Sequence, residues 1–111
     1  MNMQKTITPI NNSLYLERPY LENSEIDKTI DTSVRAFKEW RQTTVQERIQ
    51  VVNKFIDNLI NLGEEVKKEI CWQIGRPISQ CGSELRGFEE RSRYMVEIAE
   101  ECLSDIVVKK K

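Results

Sequence analysis

The longest one-sided apolar pattern in the chain lies between Gly75 and Leu103. Leu85, Phe88, Ser92, Met95, Ala99, Cys102 and Ile106 recur at alternating steps of three and four. That spacing holds one stripe of a helix toward a partner. Gly75-Arg76-Pro77 stands before the pattern, and Gly82 and Gly87 fall in its first part, where they predict a possible irregularity. A helix in water draws most of its stability from packing its apolar face, so this one must lie against something larger than itself. The question is what that larger surface is.

Upstream segments supply part of an answer. From Ile7 to Leu21 the pattern is β-prone. Thr8-Pro9-Ile10 and Leu14-Tyr15-Leu16 flank Asn11-Asn12-Ser13, which predicts a hairpin with its prolines at edges or strand ends. A lone hairpin is marginal in water, so it should rest on other structure. Ser24 reads as an N-cap that takes the amide proton of Asp27. Ile26, Ile30, Ser33, Phe37 and Trp40 then share one face. Thr44 and Glu47 have capping-box spacing. The helix they open carries Val45, Ile49, Val52, Ile56 and Leu59, widened by Val51, Phe55 and Ile60. Gly63 reads as its left-handed C′ residue. Val66, Ile70 and Ile74 predict a shorter helix, stopped by Gly75 and by Pro77. The expected fold is mainly α. A short N-terminal hairpin over 7–21 is followed by about four helices, over 24–41, 45–62, 64–74 and 78–103. After Leu103, Asp105-Ile106-Val107-Val108 reads as the start of something extended.

Charge and cysteine content exclude several functions. The 111 residues hold 17 basic and 18 acidic side chains. No strong field gathers a nucleic acid or an anionic membrane, and neither is expected as a partner. Lys109-Lys110-Lys111 reads as a solvated end. Histidine is absent, which removes the commonest general base near neutral pH and the commonest metal ligand. Cys71, Cys81 and Cys102 form neither a C-x-x-C pair nor a zinc pattern, so they read as reduced thiols of an intracellular, cytoplasmic protein. Cys71 and Cys102 read as small core hydrophobes, and Cys81, beside the glycines, as the exposed one. No apolar leader or run of membrane-spanning length occurs.

A catalytic constellation does not emerge from the residues. Gly82-Ser83-Glu84-Leu85-Arg86-Gly87 has the glycine spacing of a phosphate loop, but Phe88 and Glu89 stand where Lys and Ser or Thr are needed. Glu84 and Glu89 would also repel phosphate. Glu89 to Arg93 reads as a solvated helix face with an i,i+4 ion pair. The pairs Glu64-Glu65 and Glu100-Glu101 read as helix surface. Trp40 and Trp72 read as anchors against a neighbouring layer rather than platforms for bases.

The order of these features resembles the N-terminal region of the aldehyde dehydrogenase superfamily. The likeness rests on the hairpin Thr8-Pro9-Ile10 to Ser13-Leu14-Tyr15, on Glu25-Ile26-Asp27, and on Ala36-Phe37-Lys38-Glu39-Trp40-Arg41. It continues through Gln46-Glu47-Arg48, Gly75-Arg76-Pro77 and Glu90-Arg91-Ser92-Arg93-Tyr94. It runs from about Ile7 to Leu103 without large gaps. No one motif is very specific, but their order and spacing are.

The resemblance implies a helical part of a Rossmann-like cofactor domain, in an enzyme that oxidises an aldehyde to a carboxylic acid with NAD or NADP. In such enzymes a cysteine attacks the aldehyde, hydride passes to the nicotinamide, and a glutamate activates the hydrolytic water. An asparagine and a backbone amide stabilise the oxyanion. All of those pieces lie C-terminal to the matched region, and none of Cys71, Cys81 or Cys102 inherits the nucleophile's role. No catalytic, cofactor-binding or metal residue is therefore assigned, and the chain alone is expected to bind no cofactor and to be inactive. By position, Ser83 and Gly87 would border the aldehyde entrance. Where the family often has an aspartate near a cation site, this chain has Gln73. The expected partner is the remainder of such an enzyme, or a self-associating copy. The alternative reading is a self-contained helical interaction module that pairs through the final helix, with Glu84, Glu89, Arg91 and Glu97 flanking its seam.

Overall fold

The computed structural model describes residues 2–109. Two antiparallel strands, β1 (Met3–Ile7) and β2 (Leu14–Pro19), precede five helices. These are α1 (Asn23–Trp40), α2 (Val45–Asn61), α3 (Gly63–Ile74), α4 (Ile78–Glu97) and the short α5 (Ala99–Cys102). The hairpin is present, but its first strand lies earlier than the β-prone reading placed it. Met3 pairs with Pro19 and Lys5 with Glu17, and the register shifts between Thr6 and Ile7. Thr8-Pro9-Ile10 forms the turn instead. Thr8 accepts from Asn12 N–H at 2.9 Å and donates to Ser13 O at 3.0 Å, while Asn12 takes φ 60°. Pro9 cannot donate to a ladder, so the strand ends before it.

The hairpin does rest on other structure. The Tyr15 ring stacks on Trp72 of α3, centroids 5.9 Å apart and 7° from parallel. Its hydroxyl donates to Glu69 at 2.9 Å. Thr8 is fully buried. Beneath it, Gly75 ends α3 at φ +73°, its amide reaching Cys71 O at 2.9 Å. A Cβ on Gly75 would stand 2.7 Å from Pro9 Cγ. Glycine is needed there for its backbone angle and for the approach of the hairpin.

Helix α4 packs on both α2 and α3, with Ile56, Cys81 and Leu85 buried at its contacts. Phe55 of α2 meets Phe88 of α4 edge to face, centroids 5.9 Å apart. The Thr44–Glu47 capping box forms as its spacing predicts, with the Glu47 carboxylate accepting Thr44 N–H at 2.7 Å and Glu47 N–H donating to Thr44 Oγ1 at 3.2 Å. Other helix ends differ from expectation. Glu22, not Ser24, is the α1 N-cap, because Glu25 reaches back to the Glu22 amide at 2.9 Å and starts the helix two residues sooner. Gly63 is not left-handed. It is the first residue of α3, whose turn begins with Val66 N–H donating to Leu62 O, and a Cβ placed on it would stand in ordinary contact with Leu85, at 3.6 Å.

The final helix shows two further departures. It runs unbroken through Gly82 and Gly87, then breaks at Ile98, so 78–103 is two helices rather than one. Its buried or half-buried stripe is Cys81, Leu85, Phe88, Ser92, Val96 and Ala99. The seam read from the sequence advances every 3.5 residues, whereas a straight helix advances every 3.6. The two share Leu85, Phe88, Ser92 and Ala99 but part between the last two, where Met95 is 63 % exposed and Val96 turns inward. Residues 103–109 hold neither helix nor strand, and Ile106 is 91 % exposed.

Helix α1 stands apart. Every one of its residues is exposed, Ile26, Ile30, Val34, Phe37 and Trp40 among them. The radius of gyration is 19.8 Å. A compact domain of this length would have about 13 Å. The accessible surface is 9641 Å², against about 6,400 Å² for a compact monomer of this mass. The chain is an open arrangement: a small packed centre with a hairpin and a bare helix extending from it.

Candidate functional site

The glycine-bearing start of α4 is the one region that the sequence reading singled out for a site. Pro77 caps α4 with extended backbone. Arg76, just before it, folds back over the first turns. Its Nη1 pairs with Glu84, and its Nη2 donates to Ser83 Oγ at 3.0 Å. Ser83 Oγ in turn donates to Gln80 O at 2.7 Å. The Ser83 hydroxyl is thus held between a guanidinium and a helix carbonyl. Gly87, one turn on, shares that side of the helix and is half-buried. Beyond the neighbouring backbone of its own helix, nothing among the described residues lies within 4 Å of the place its Cβ would take. Sequence reasoning did not find Arg76 as the residue that fixes Ser83, since nothing local marks a contact seven and eight positions away.

The cysteines are placed differently from expectation. Cys81 is fully buried, its thiol 3.4 Å from Pro77 O and 3.5 Å from Arg76 O. It lies one turn before Leu85, on the face that α4 turns toward α2 and α3. Cys102 is exposed and Cys71 half-buried. Cys102 sits in the four-residue α5, past the point where the buried stripe has turned away. No thiol has a histidine beside it, and none is a candidate nucleophile.

A shallow groove of about 300 Å³ crosses the junction of α2, α3 and α4, with Gly82 in its floor and Lys67, Arg86, Glu64 and Glu89 around it. Lys67 pairs with Glu64 at 2.6 Å. Arg93 bridges α4 to α2, donating to Asp57 at 2.7 Å and to Glu89 at 3.1 Å, and these carboxylates raise its pKa above the ordinary guanidinium value. The i,i+4 pair read from the sequence is present, with Asp57 added. Gln73 donates to Glu69 at 2.7 Å. With Gln73 and Tyr15 both bonded to it, the Glu69 carboxyl is held below the usual carboxylate range, and Tyr15 is raised by the same contact. No group of three or more potential metal ligands occurs among the described residues.

The elbow between α1 and α2 is more tightly built. Arg48 Nη2 donates to the carbonyls of Trp40, Arg41 and Thr43 at 3.0–3.3 Å, and its Nε to Thr43 Oγ1 at 3.0 Å. Its guanidinium also lies 5.7 Å from the Trp40 ring. One arginine thereby ties together three carbonyls at the end of α1 and in the turn after it, and sits over the last aromatic of the helix. Ala36 to Arg41 and Gln46 to Arg48, two separate motifs in the sequence, are one structural unit. Comparison with protein families matches residues 2–111 to the aldehyde dehydrogenase family.

The chain belongs to the aldehyde dehydrogenase family. No curated protein matches it. The family is generally NAD(P)-dependent and oxidises aldehydes. A dinucleotide cradle needs a strand, a glycine-rich turn and a helix N-terminus with free amides. Gly82 to Gly87 lie inside α4, where backbone amides are engaged in the helix, with the Glu84 carboxylate between them and Glu89 just beyond. The described residues do not make that cradle. No helix among them is long and apolar enough to cross a membrane.

Proposed function

We propose that this chain is the N-terminal helical part of the cofactor-binding domain of an NAD(P)-dependent aldehyde dehydrogenase, and that it oxidises no aldehyde by itself. The observation that carries the reading is α1, a helix with a complete apolar stripe and no cover. A helix of that kind is stable against a sheet or another helix and costly to leave in water. The same holds for Val51, Val52 and Phe55 on α2, which are exposed beside a packed centre. A sheet supplied by the rest of such an enzyme is the partner those faces fit. The run Ile106-Val107-Val108 is exposed as well.

On this reading Ser83 and Gly87 border the aldehyde entrance. Arg76 sets the Ser83 hydroxyl, and Gly87 leaves open space beside it. The final helix offers less to the alternative reading as a self-pairing module, because its stripe already lies against α2 and α3. The purified chain, incubated with aldehydes and either NAD or NADP, is expected to form no reduced nicotinamide. Turnover that scales with the amount of chain, and survives repurification, would overturn the proposal.

A further inference from the structure

Helix α1 carries its own pairing code. Ile26, Ile30, Ser33, Phe37 and Trp40 advance by four and three over two heptads, the seam of a two-helix contact. Phe37 is 59 % and Ile30 55 % exposed, and nothing among the described residues covers them. A shallow hollow of about 620 Å³, lined by Ser33, Ala36, Phe37, Glu39, Trp40 and Thr43, opens on the same helix. The charges are sorted along it. Residues 23–32 hold Glu25, Asp27 and Asp31 against Lys28, a net of −2; residues 33–41 hold Arg35, Lys38 and Arg41 against Glu39, a net of +2. Two copies laid parallel would set like charge on like. Two copies laid antiparallel set each acidic half on a basic one. Asp27, Val34 and Arg41 are seven apart and flank the seam on one side. Antiparallel pairing centred on Val34 places Asp27 opposite Arg41 of the second copy, twice by symmetry.

We infer that, in the absence of another cover, the α1 face is closed by the α1 of a second copy of this chain, antiparallel, as a symmetric dimer. Ile26, Ile30, Val34, Phe37 and Trp40 are 42–59 % exposed along the one face of α1, and a standard interface needs about 800 Å² from each partner. The inference rests on the bare face and its charge order, and is independent of whether the chain oxidises an aldehyde.

Sedimentation equilibrium of the 111-residue chain tests it. The expected mass rises from monomer toward dimer between roughly 1 and 200 µM, as befits an interface of modest size. Phe37→Glu and, separately, Ile30→Glu are expected to leave the chain monomeric across that range with helix content unchanged, since neither side chain is buried. Asp27→Arg or Arg41→Asp alone is expected to weaken association about tenfold, and the two together to restore it. A wild-type chain that stays monomeric at 200 µM overturns the inference. So does a dimer indifferent to both glutamate variants, which would place the contact elsewhere, or a double charge variant that stays weak, which would exclude the antiparallel arrangement.

Discussion

Arg48 shows how much one side chain does in this molecule. Its guanidinium reaches three carbonyls, one hydroxyl and one indole face, and so joins the end of α1 to the start of α2. Lysine cannot copy that fork geometry. Arg48→Lys is expected to speed amide exchange at 41–44 several-fold while leaving α2–α4 protected, and Arg48→Ala to do so more strongly. Gly75 is the second such residue. Gly75→Ala meets both a left-handed backbone and Pro9, and should cost about 1–3 kcal/mol in thermal or urea unfolding, with the Tyr15–Trp72 stack loosened. The titrating contacts have a readable sign. Glu47, bonded to the Thr44 amide and hydroxyl, and Glu69, bonded to Gln73 and Tyr15, both have lowered pKa values in the folded chain. Their contribution is full above the ordinary carboxylate pKa and is lost as pH falls through the lower folded values. Tyr15 is raised, so its share is full below its ordinary pKa and is lost as pH rises through the folded value. Stability should therefore fall off on both the acid and the alkaline side. Thr44→Val should shrink the acid-side loss, and Tyr15→Phe should remove the alkaline one.

At the scale of elements, the final helix separates what periodicity can tell from what it cannot. The alternation of three and four found the helix and its inward residues Leu85, Phe88 and Ser92. It could not tell a heptad from the 3.6-residue advance of a straight helix, because the two differ by only about 20° per heptad. Unfolding measurements can resolve them. Leu85→Ala, at the packed centre, should cost about 2–4 kcal/mol, while Met95→Ala, on the exposed side, should stay within about 0.5 kcal/mol of the parent. The caps were partly legible. Thr44 and Glu47 formed their box because both partners lie within four residues. Ser24 lost its place because Glu25 reached back to Glu22, a competition between two acceptable starts two residues apart. Gly63 looked like a stop, but the chain goes straight on into α3 there, with the Leu62 carbonyl accepting Val66 N–H.

Over the whole molecule, the sequence carried the fold class, a hairpin followed by helices, and the family markers that the comparison with known families supports. It did not carry the openness. Each helix showed an apolar face, but which faces find partners depends on contacts far apart in the chain. Cys81 illustrates this: glycine neighbours suggested exposure, and α2 and α3 buried it. The candidate entrance residues Ser83 and Gly87 were chosen by position alone, and the Arg76 contact that orients Ser83 has no sequence signature. The central claim is that this chain forms one side of a larger fold, with α1 and the adjacent apolar faces left for something else to cover. Small-angle scattering on the Phe37→Glu chain, monomeric by design, tests it most directly. The account expects a radius of gyration near 19.8 Å with helix content intact. A value near 13 Å, the compact-domain figure, would show that the chain covers its own faces, and one near 34 Å that it does not hold this fold alone.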